Sequence, residues 1–439
     1  MTKRERYSAR ALLSATVACA LVVFGPTAIA GVDPQGREVR VNNVRKGLQL
    51  AYDLAMDPKG RSIAVWENRA PNGAYHVYAR RYNARGRPAG KQFKVDQGPN
   101  EGAGSPAVGV SRAGSFVVAW AETEVDVDSD VMYRLFTRRG RARTPELAAA
   151  DGPTSDQTPT VAVRADGAFT LVWNLYQGTP SDFDYDVRAR RFTPEGKPAG
   201  DEFGVSTRTA LNQRNASATY DPSGKLIVVW ESEKPLPGSA SKEVVDARRF
   251  DRSGHPLGKE IQVSSDDPSV RLSRPQRASG PDVDTDAKGR YIVTWGSLIE
   301  SGYGDIALAR RFDAHGKRIG KELVLKANTR FYDDPPRISM DHKGRFVAVW
   351  GVTHAERRIG DVQDLMGARF TSRAKRVGHM FRLHARRPPN QVGASVALDD
   401  DWRFMAIWTR YSMCGPPGDK YACRYDVLMR RWHKSRRSG

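Results

Sequence analysis

The chain has 439 residues and a formal net charge of +20. A chain of this length is longer than a single compact core usually holds, and no linker or change in composition divides it. The length therefore excludes one compact core, and the even composition favours a modular ring.

The first 30 residues have the pattern of a secretory signal. Four basic residues precede an apolar run at 11–24: Lys3, Arg4, Arg6 and Arg10. Small residues at 28–30 then provide a cleavage site, so we predict a signal peptide at 1–30 and a mature domain at 31–439. A retained membrane anchor is the alternative, although the apolar run is short for a span. We expect a secreted or periplasmic protein with no transmembrane span after cleavage.

Export determines how the charge and the cysteines are interpreted. Signal removal lowers the formal charge from +20 to +17. For an exported protein this charge favours an anionic envelope polymer, a glycan or another exported protein as partner, and not nucleic acid. The mature chain, which we expect to be monomeric, keeps Cys414 and Cys423 in one loop. We predict that they form a disulfide; two unpaired thiols are the alternative.

The mature chain starts with a segment that does not begin a repeat. Residues 37–42 read REVRVN and match the fourth strand of later copies, such as 91–95 and 201–205. The last copy runs through its third strand at 429–432 and lacks a fourth. We therefore predict that strand 37–42 completes the last sheet and closes a ring, which removes the exposed edges of an open array.

Seven copies of one pattern follow, each aligned on a tryptophan that ends its second strand: Trp66, Trp120, Trp173, Trp230, Trp295, Trp350 and Trp408. An aromatic residue ends every third strand: Tyr82, Phe136, Phe192, Phe250, Phe312, Phe370 and Trp432. The copies occupy residues 47–96, 101–150, 155–206, 211–264, 278–326, 330–384 and 390–439. Their spacing of roughly 53 to 65 residues is typical of a four-stranded propeller blade.

The second strands indicate how the copies pack. In the fourth copy, Leu226, Val228 and Trp230 lie on one face, and Ile227 and Val229 lie on the other. Strands that are apolar on both faces belong to sheets packed between two neighbours. The sequence thus predicts an all-β, seven-bladed β-propeller with four-stranded antiparallel blades. Tandem β-sandwich domains are the alternative.

Two further features recur. An aspartate precedes a glycine by three residues in most turns between first and second strands, as in Asp57 and Gly60, which indicates a structural turn. The seventh copy departs with Asp399-Asp400-Asp401-Trp402. Five third strands carry paired arginines: 80–81, 190–191, 248–249, 310–311 and 430–431. Because strand neighbours point to opposite faces, we interpret these arginines as stacking on aromatics and pairing with acidic residues between blades.

These residues resemble a tandem repeat of exported bacterial proteins, whose copies read approximately P-x-V-x-x-D-x-x-G-x-F-x-V-x-W and then D-V-x-A-R-R-F-D-x-x-G-x-P-x-G-x-E-F-x-V. The likeness covers residues 33–439 and is best in copies three to five. Elsewhere it drifts, with Leu135 and Ala368 in place of an arginine. The resemblance implies a propeller-like extracytoplasmic protein and no particular reaction.

In a propeller, the connections between second and third strands and between blades share one face, which we name the loop face. Its loops vary in length, and two are acidic, with Asp126, Asp128, Asp130, Asp182, Asp184 and Asp186. Alternating carboxylates suit Ca²⁺, so a calcium site is one hypothesis. Solvated or arginine-paired carboxylates are the alternative, because Asp130 and Asp186 recur in register as Asp364 and Asp426.

The opposite face, which we name the turn face, is predicted to be basic. Its residues include Arg138, Arg139, Arg141, Arg143, Lys317, Arg318 and Lys321. Such a surface binds an anionic partner. An ordinary solvated surface is the alternative.

No catalytic motif is recognisable in the sequence. It contains no G-x-S-x-G, H-E-x-x-H or cysteine nucleophile. We therefore predict a non-catalytic ligand-binding or scaffold protein of the cell envelope or extracellular space, without a cofactor apart from the calcium hypothesis. The alternative is a carbohydrate-active enzyme of glycosidase or lyase type. A central cluster of Asp or Glu with Arg and Tyr in an open funnel would favour that alternative.

Overall fold

The computed structural model describes residues 32–43, 47–98, 102–123, 129–150, 155–177, 184–208, 210–237, 241–265, 277–298, 305–326, 334–356, 360–385, 390–412 and 424–434. In these ranges the regular secondary structure consists of β-strands, which form seven four-stranded antiparallel blades. The predicted seven-bladed propeller is confirmed. None of the described residues forms a helix able to span a lipid bilayer.

Within each blade the strands follow one another in order. The first blade has β2 (Leu48–Met56), β3 (Ser62–Arg69), β4 (Tyr75–Tyr82) and β5 (Phe93–Lys94). The second has β6 (Gly102–Val110), β7 (Phe116–Thr123), β8 (Ser129–Phe136) and β9 (Leu147–Ala150). The third has β10 (Ser155–Val163), β11 (Phe169–Tyr176), β12 (Tyr185–Phe192) and β13 (Phe203–Gly204). The fourth has β14 (Gln213–Tyr220), β15 (Leu226–Pro235), β16 (Ser241–Phe250) and β17 (Ile261–Gln262).

The remaining blades follow the same order. The fifth has β18 (Arg277–Thr285), β19 (Tyr291–Leu298), β20 (Asp305–Phe312) and β21 (Arg318–Lys326). The sixth has β22 (Arg337–Met340), β23 (Phe346–Glu356), β24 (Gly360–Phe370) and β25 (Arg376–Arg382). The seventh has β26 (Asn390–Leu398), β27 (Phe404–Ser412) and β28 (Arg424–Lys434), and β1 (Val32–Arg40) is its fourth strand.

The ring closes between its two ends, as predicted. Strand β1 pairs antiparallel with β28, and Val39 lies opposite Met429. The amide of Val41 donates to the carbonyl oxygen of Val427 at 2.8 Å. The pairing begins at Val32, so the closing strand is longer than the predicted segment 37–42.

The core lies between blades and not at the centre of the ring. The described residues form seven hydrophobic clusters, one at each contact between neighbouring blades. Every cluster contains the second-strand tryptophan of one blade, and each of these seven side chains is at most 2% exposed. The repeated tryptophan therefore packs against the preceding blade, which explains why it sets the phase of the repeat.

The aspartate turns have the predicted structural role. The Oδ1 atom of Asp57 accepts from the amides of Lys59 and Arg61 at 2.9 and 3.0 Å, and Gly60 has φ +78°. In the seventh blade, Trp402 occupies the glycine position with φ +63°. Its indole lies under two guanidinium groups, which are 4.6 and 4.8 Å from the ring centroid. Stacking and burial hold a large residue in a conformation that normally favours glycine.

The paired arginines join blades, and the expectation about their partners is confirmed only in part. The first arginine of a pair donates to a carbonyl oxygen of the preceding blade, as Arg80 does to Val41 at 2.8 Å. In the four pairs other than 430–431, the second arginine donates to an outer-turn carbonyl of the next blade, as Arg249 does to Ala314 at 2.7 Å. The expected stacking on an aromatic ring occurs at Arg248 and Arg430, and the expected acidic partner occurs at Arg310, which contacts Glu322 at 2.8 Å. Carbonyls dominate because these strand ends leave unpaired backbone oxygens at every contact between blades.

Candidate functional site

The first strands of the seven blades surround a central cavity of about 690 Å³. This volume is within the range of pockets that hold small ligands. Most of its lining consists of small or polar side chains on the inner strands, because the large apolar side chains are used between blades.

A β-bulge interrupts the inner strand of most blades. It lies between Ala51 and Asp53 in the first blade and between Gly104 and Ala107 in the second. The bulges of blades two to four hold non-glycine residues at positive φ: Ser105 (51°), Thr158 (47°) and Asn215 (53°). A bulge leaves a backbone amide unpaired within its own sheet. These amides are available to neighbouring blades.

The residue that follows the repeat tryptophan binds the bulge of the next blade. Glu231 accepts from the amide of Gly280 at 2.5 Å, and Asn174 accepts from the amide of Asn215 at 3.1 Å. Around the closure, Thr409 Oγ1 accepts from the amide of Ala51 at 2.8 Å. This position therefore holds polar side chains for a structural reason, at the end of the channel nearest the loop face.

Two channel aspartates have equivalent structural roles. Asp53 Oδ2 accepts from the amide of Val108 at 2.9 Å, and its Oδ1 accepts from Ser395 Oγ at 3.2 Å. Asp282 Oδ2 likewise accepts from the next blade, at the amide of Ile338 (2.8 Å). It also accepts from the previous blade, through Ser217 Oγ at 2.8 Å. Each carboxylate thus connects three consecutive blades.

Burial raises the pKa of two channel carboxyls, Asp53 and Asp284. It raises the pKa of Asp53, although two amides stabilise the charged form. Burial also raises the pKa of Asp284, which lies further along the same strand as Asp282, to about 7. A carboxyl in these surroundings loses hydration that the amides only partly replace.

One tyrosine and one glutamate lie together near the loop end of the channel. The Tyr52 hydroxyl hydrogen-bonds to the side chains of Glu67 and Ser105. Burial, and secondly the charge of Glu67, raise the pKa of Tyr52 to about 12, so its phenol stays protonated at neutral pH. Glu67 also accepts from the amide of Ser105 at 3.2 Å, and burial raises its pKa. The pair can donate and accept hydrogen bonds but presents no phenolate nucleophile.

Three charged residues that line the channel were not identified from the sequence. Asp53, Asp282 and Arg337 occupy one register position on three inner strands, where the other blades have small residues: Ala107, Thr160, Ser217 and Ser395. A comparison of the copies at this position shows a charged residue in three blades where the other four have a small one. An alignment on the second-strand tryptophans emphasises apolar positions, and this polar position was missed.

The acidic loops are only partly described. Asp126, Asp128 and Asp182 lie outside the described residues. Asp130, Asp186, Asp364 and Asp426 share one register position, each opposite the second residue after the repeat tryptophan. This confirms the predicted recurrence. In the last two blades the position is ion-paired: Asp364 contacts Arg382 at 3.2 Å, and Asp426 contacts Arg410 at 3.1 Å.

The third blade differs at this position. Burial, and secondly the charge of Asp184, raise the pKa of Asp186. Burial also raises the pKa of the nearby Asp156 to about 7, although the Trp173 indole donates to it at 2.8 Å. Within the described ranges, no group of three or more His, Cys, Asp or Glu side chains is arranged to hold a metal ion. The calcium hypothesis stays a prediction.

Most of the predicted basic residues lie in outer turns, the connections between third and fourth strands, whereas Arg318 and Lys321 lie in the fourth strand of the fifth blade. Arg138, Arg139, Arg141 and Arg143 are exposed in the second blade, and Lys317, Arg318 and Lys321 are exposed in the fifth. They form two groups in different blades and not one cluster. Arg318 also donates to the carbonyl of Gln262 at 2.6 Å, so it is partly engaged.

Comparison of the outer turns shows a wider pattern. In blades one to six an exposed basic residue directly follows the turn's positive-φ residue: Arg87, Arg141, Lys197, His255, Lys317 and Lys375. Among the described residues, the five lysines and arginines of this set make no ion pair, and His255 lies 3.3 Å from Asp251. We name this set the outer cation ring.

The inner turns, which connect first and second strands on the same face, behave differently. Their arginines pair with the turn aspartate in four blades: Arg61 with Asp57 (2.5 Å), Arg290 with Asp286 (2.5 Å), Arg345 with Asp341 (2.5 Å) and Arg403 with Asp399 (2.7 Å). On the turn face, the arginines of these four inner turns are thus paired, whereas the lysines and arginines of the outer cation ring make no ion pair in the described part of the chain.

Comparisons with known proteins show a similarity of fold and nothing further. No known family profile matches the chain, and no curated protein matches it in sequence. The chain is similar to a protein of unknown function from Dyadobacter fermentans DSM 18053, with 13% identity and a TM-score of 0.53 over 78% of this chain and 97% of that one. It is also similar to the polysaccharide lyase Uly1, with 11% identity and a TM-score of 0.51 over 92% and 100% of the two chains. At such identities the chain shares a fold with these proteins, and the likeness shows nothing of its activity.

Proposed function

We propose that this protein is a non-catalytic, exported propeller that binds an anionic polymer of the cell envelope or extracellular space through its turn face. The outer cation ring is the observation that carries the proposal. It presents a basic side chain at the same position of six consecutive blades, with five of the six free of ion pairs among the described residues. A regular series of like charges matches a polymer that carries regular negative charge.

The contrast with the inner turns supports this interpretation. Arginines near the axis are neutralised by aspartates of their own turns, so they contribute to turn structure. The outer cations contribute little to folding, because exposed charges in turns have small effects on stability. Uncompensated charge that the fold does not need is more readily explained by binding.

The arrangement of the channel favours binding over hydrolysis in this proposal. Glycoside hydrolysis requires two carboxyl groups, one as acid and one as base or nucleophile. Asp53, Asp282 and Glu231 instead accept amide hydrogens from neighbouring blades. A change in their protonation or position would disturb contacts that hold the ring together.

The experiment compares affinity for a polyuronate at several salt concentrations. The test variant replaces Arg138, Arg139, Arg141 and Arg143 with serine. For a linear polyanion, each neutralised charge contributes about 0.7 to 0.9 to the slope of log K against log salt. If all four arginines contact the polymer, the slope should therefore decrease in magnitude by about 3 and the affinity should fall.

The control variant replaces Asp126, Asp128 and Asp130 with asparagine on the predicted loop face. It should bind the polyuronate as well as the wild type, or slightly more tightly because repulsion is reduced. Thermal unfolding verifies that both variants are folded. Normal binding by the arginine variant together with loss in the aspartate variant would contradict the proposal and favour a cation-dependent glycan site on the loop face.

A further inference from the structure

The central channel contains one cation, whose charge favours the ionised form of Asp53 but which no close contact holds in the described part of the ring. Of the described residues that line the cavity, Arg337 is the single basic one, and its side chain is exposed to the channel. Among the described residues its guanidinium makes no hydrogen bond or ion pair. The equivalent positions in the other blades hold Asp or small residues, so neither packing nor repeat symmetry requires an arginine here.

The two aspartates at the same register position as Arg337 are hydrogen-bonded to the ring. Asp53 and Asp282 each accept hydrogen bonds from amides and from a serine hydroxyl. Amides and hydroxyls of the ring therefore bind both carboxyl groups, while the donors of Arg337 have no acceptor in the described part of the ring. A guanidinium is a planar fork of donors that suits a carboxylate.

The lining also restricts what else the ligand carries. A multiply charged anion would be repelled by Asp53 and Asp282, whereas hydroxyl groups can donate to lone pairs that these carboxylates retain. Thr158, Thr160 and Ser105 add hydroxyls to the lining. A ligand with one negative charge and several hydroxyls satisfies both sets of groups.

The loop end of the cavity offers an apolar surface as well. The side chain of Tyr52 lines the cavity and is 38% exposed, while its hydroxyl is held by Glu67 and Ser105. A fixed, partly exposed aromatic ring provides a face against which a sugar ring can pack. The volume of about 690 Å³ is large enough for one or two sugar units.

We propose that the central channel binds a monocarboxylated sugar, with the carboxylate on Arg337 and hydroxyls on Asp53 and Asp282. This site is separate from the outer cation ring. Polymer binding on the turn face is not required for it.

The test is calorimetric titration of the mature protein with D-galacturonate, methyl galactoside and acetate. Galacturonate should bind saturably, and the two other probes should bind at least about tenfold more weakly because each lacks one half of the recognised groups. Arg337→Gln should weaken galacturonate binding by roughly tenfold to a hundredfold, as expected for loss of a charge-assisted bidentate contact. Arg337→Lys keeps the positive charge but loses the two parallel N–H donors, so its affinity for galacturonate should lie between those of the wild type and Arg337→Gln.

Two further variants test whether the sugar lies inside the channel. Thr160→Phe, which fills the channel across from Arg337, should abolish binding, while Arg141→Gln on the outer cation ring should leave it unchanged. The proposal is overturned if the wild type shows no saturable galacturonate binding, if folded Arg337→Gln binds as the wild type does, or if acetate binds as tightly as galacturonate. If the wild type binds galacturonate but does not bind the polyuronate, the result contradicts only the proposed function.

Discussion

Ring closure by the N-terminal strand predicts a large difference between two neighbouring valines. Val41 is fully buried between the seventh and first blades, in a cluster with Trp66, Ile407 and Met429. Val39, two residues earlier, is 42% exposed. Substitution of each by alanine removes the same atoms from the same N-terminal segment, Val39 within β1 and Val41 directly after it, so the pair forms a matched comparison.

The magnitude follows from the packing. Val41→Ala removes two buried carbons, worth about 1.6 kcal/mol at roughly 0.8 kcal/mol each. The cavity that remains adds about 1 kcal/mol, because blades packed on both sides allow little collapse. We expect a loss of about 2 to 3 kcal/mol for Val41→Ala and less than about 1 kcal/mol for Val39→Ala.

Differential scanning calorimetry of the mature protein measures this difference. At about 2 cal/mol/K of unfolding entropy per residue, a ring of some 400 residues should lose about 3 °C in Tm with Val41→Ala and at most about 1 °C with Val39→Ala. Equal shifts for the two variants would refute the reasoning, since they would mean that the strand does not pack at this contact in solution.

Three further predictions concern single features. Burial raises the pKa of Asp284 to about 7, so its contribution to the free energy of unfolding should be complete below about pH 4 and lost as pH rises through 7. Asp284→Asn should therefore flatten the curve of Tm against pH between about pH 4 and 7. Trp402→Gly should relieve the positive φ but lose a buried ring, with a net cost of about 2 to 4 kcal/mol in denaturant titration; a stabilised variant would contradict this. Cys414 and Cys423 lie outside the described residues and should resist thiol labelling in the unreduced protein, with a stabilisation of about 2 to 3 kcal/mol; labelling of both would exclude the disulfide.

The sequence determined the architecture because the propeller is built from local, repeated patterns. Each second strand is apolar on both faces and carries the repeat tryptophan, although the strand continues beyond it in the structure, and most turns carry their own polar and glycine residues, so the blade is recognisable within one copy. The closure was also readable, since a spare strand at one end and a missing strand at the other allow one simple pairing. Blade number followed from counting the copies.

Polar partners could not be predicted in the same way. The paired arginines bind backbone carbonyls of adjacent blades, and no sequence pattern marks a carbonyl as unpaired. Likewise, the glutamates and the asparagine that follow the repeat tryptophan bind amides that become available only because the next inner strand bulges. Strand patterns report which face is apolar, not which polar atoms lie opposite.

The channel site was decided by tertiary structure alone. Asp53 is separated from Asp282 and Arg337 by more than two hundred residues, and no pattern within a single strand connects them. They come together because ring closure places the first strand of every blade around the axis. Burial and shared hydrogen bonds then differ between them: the carboxylates are held by three blades, and the guanidinium faces the open channel. That difference depends on distances across the ring, which a period along the chain does not contain.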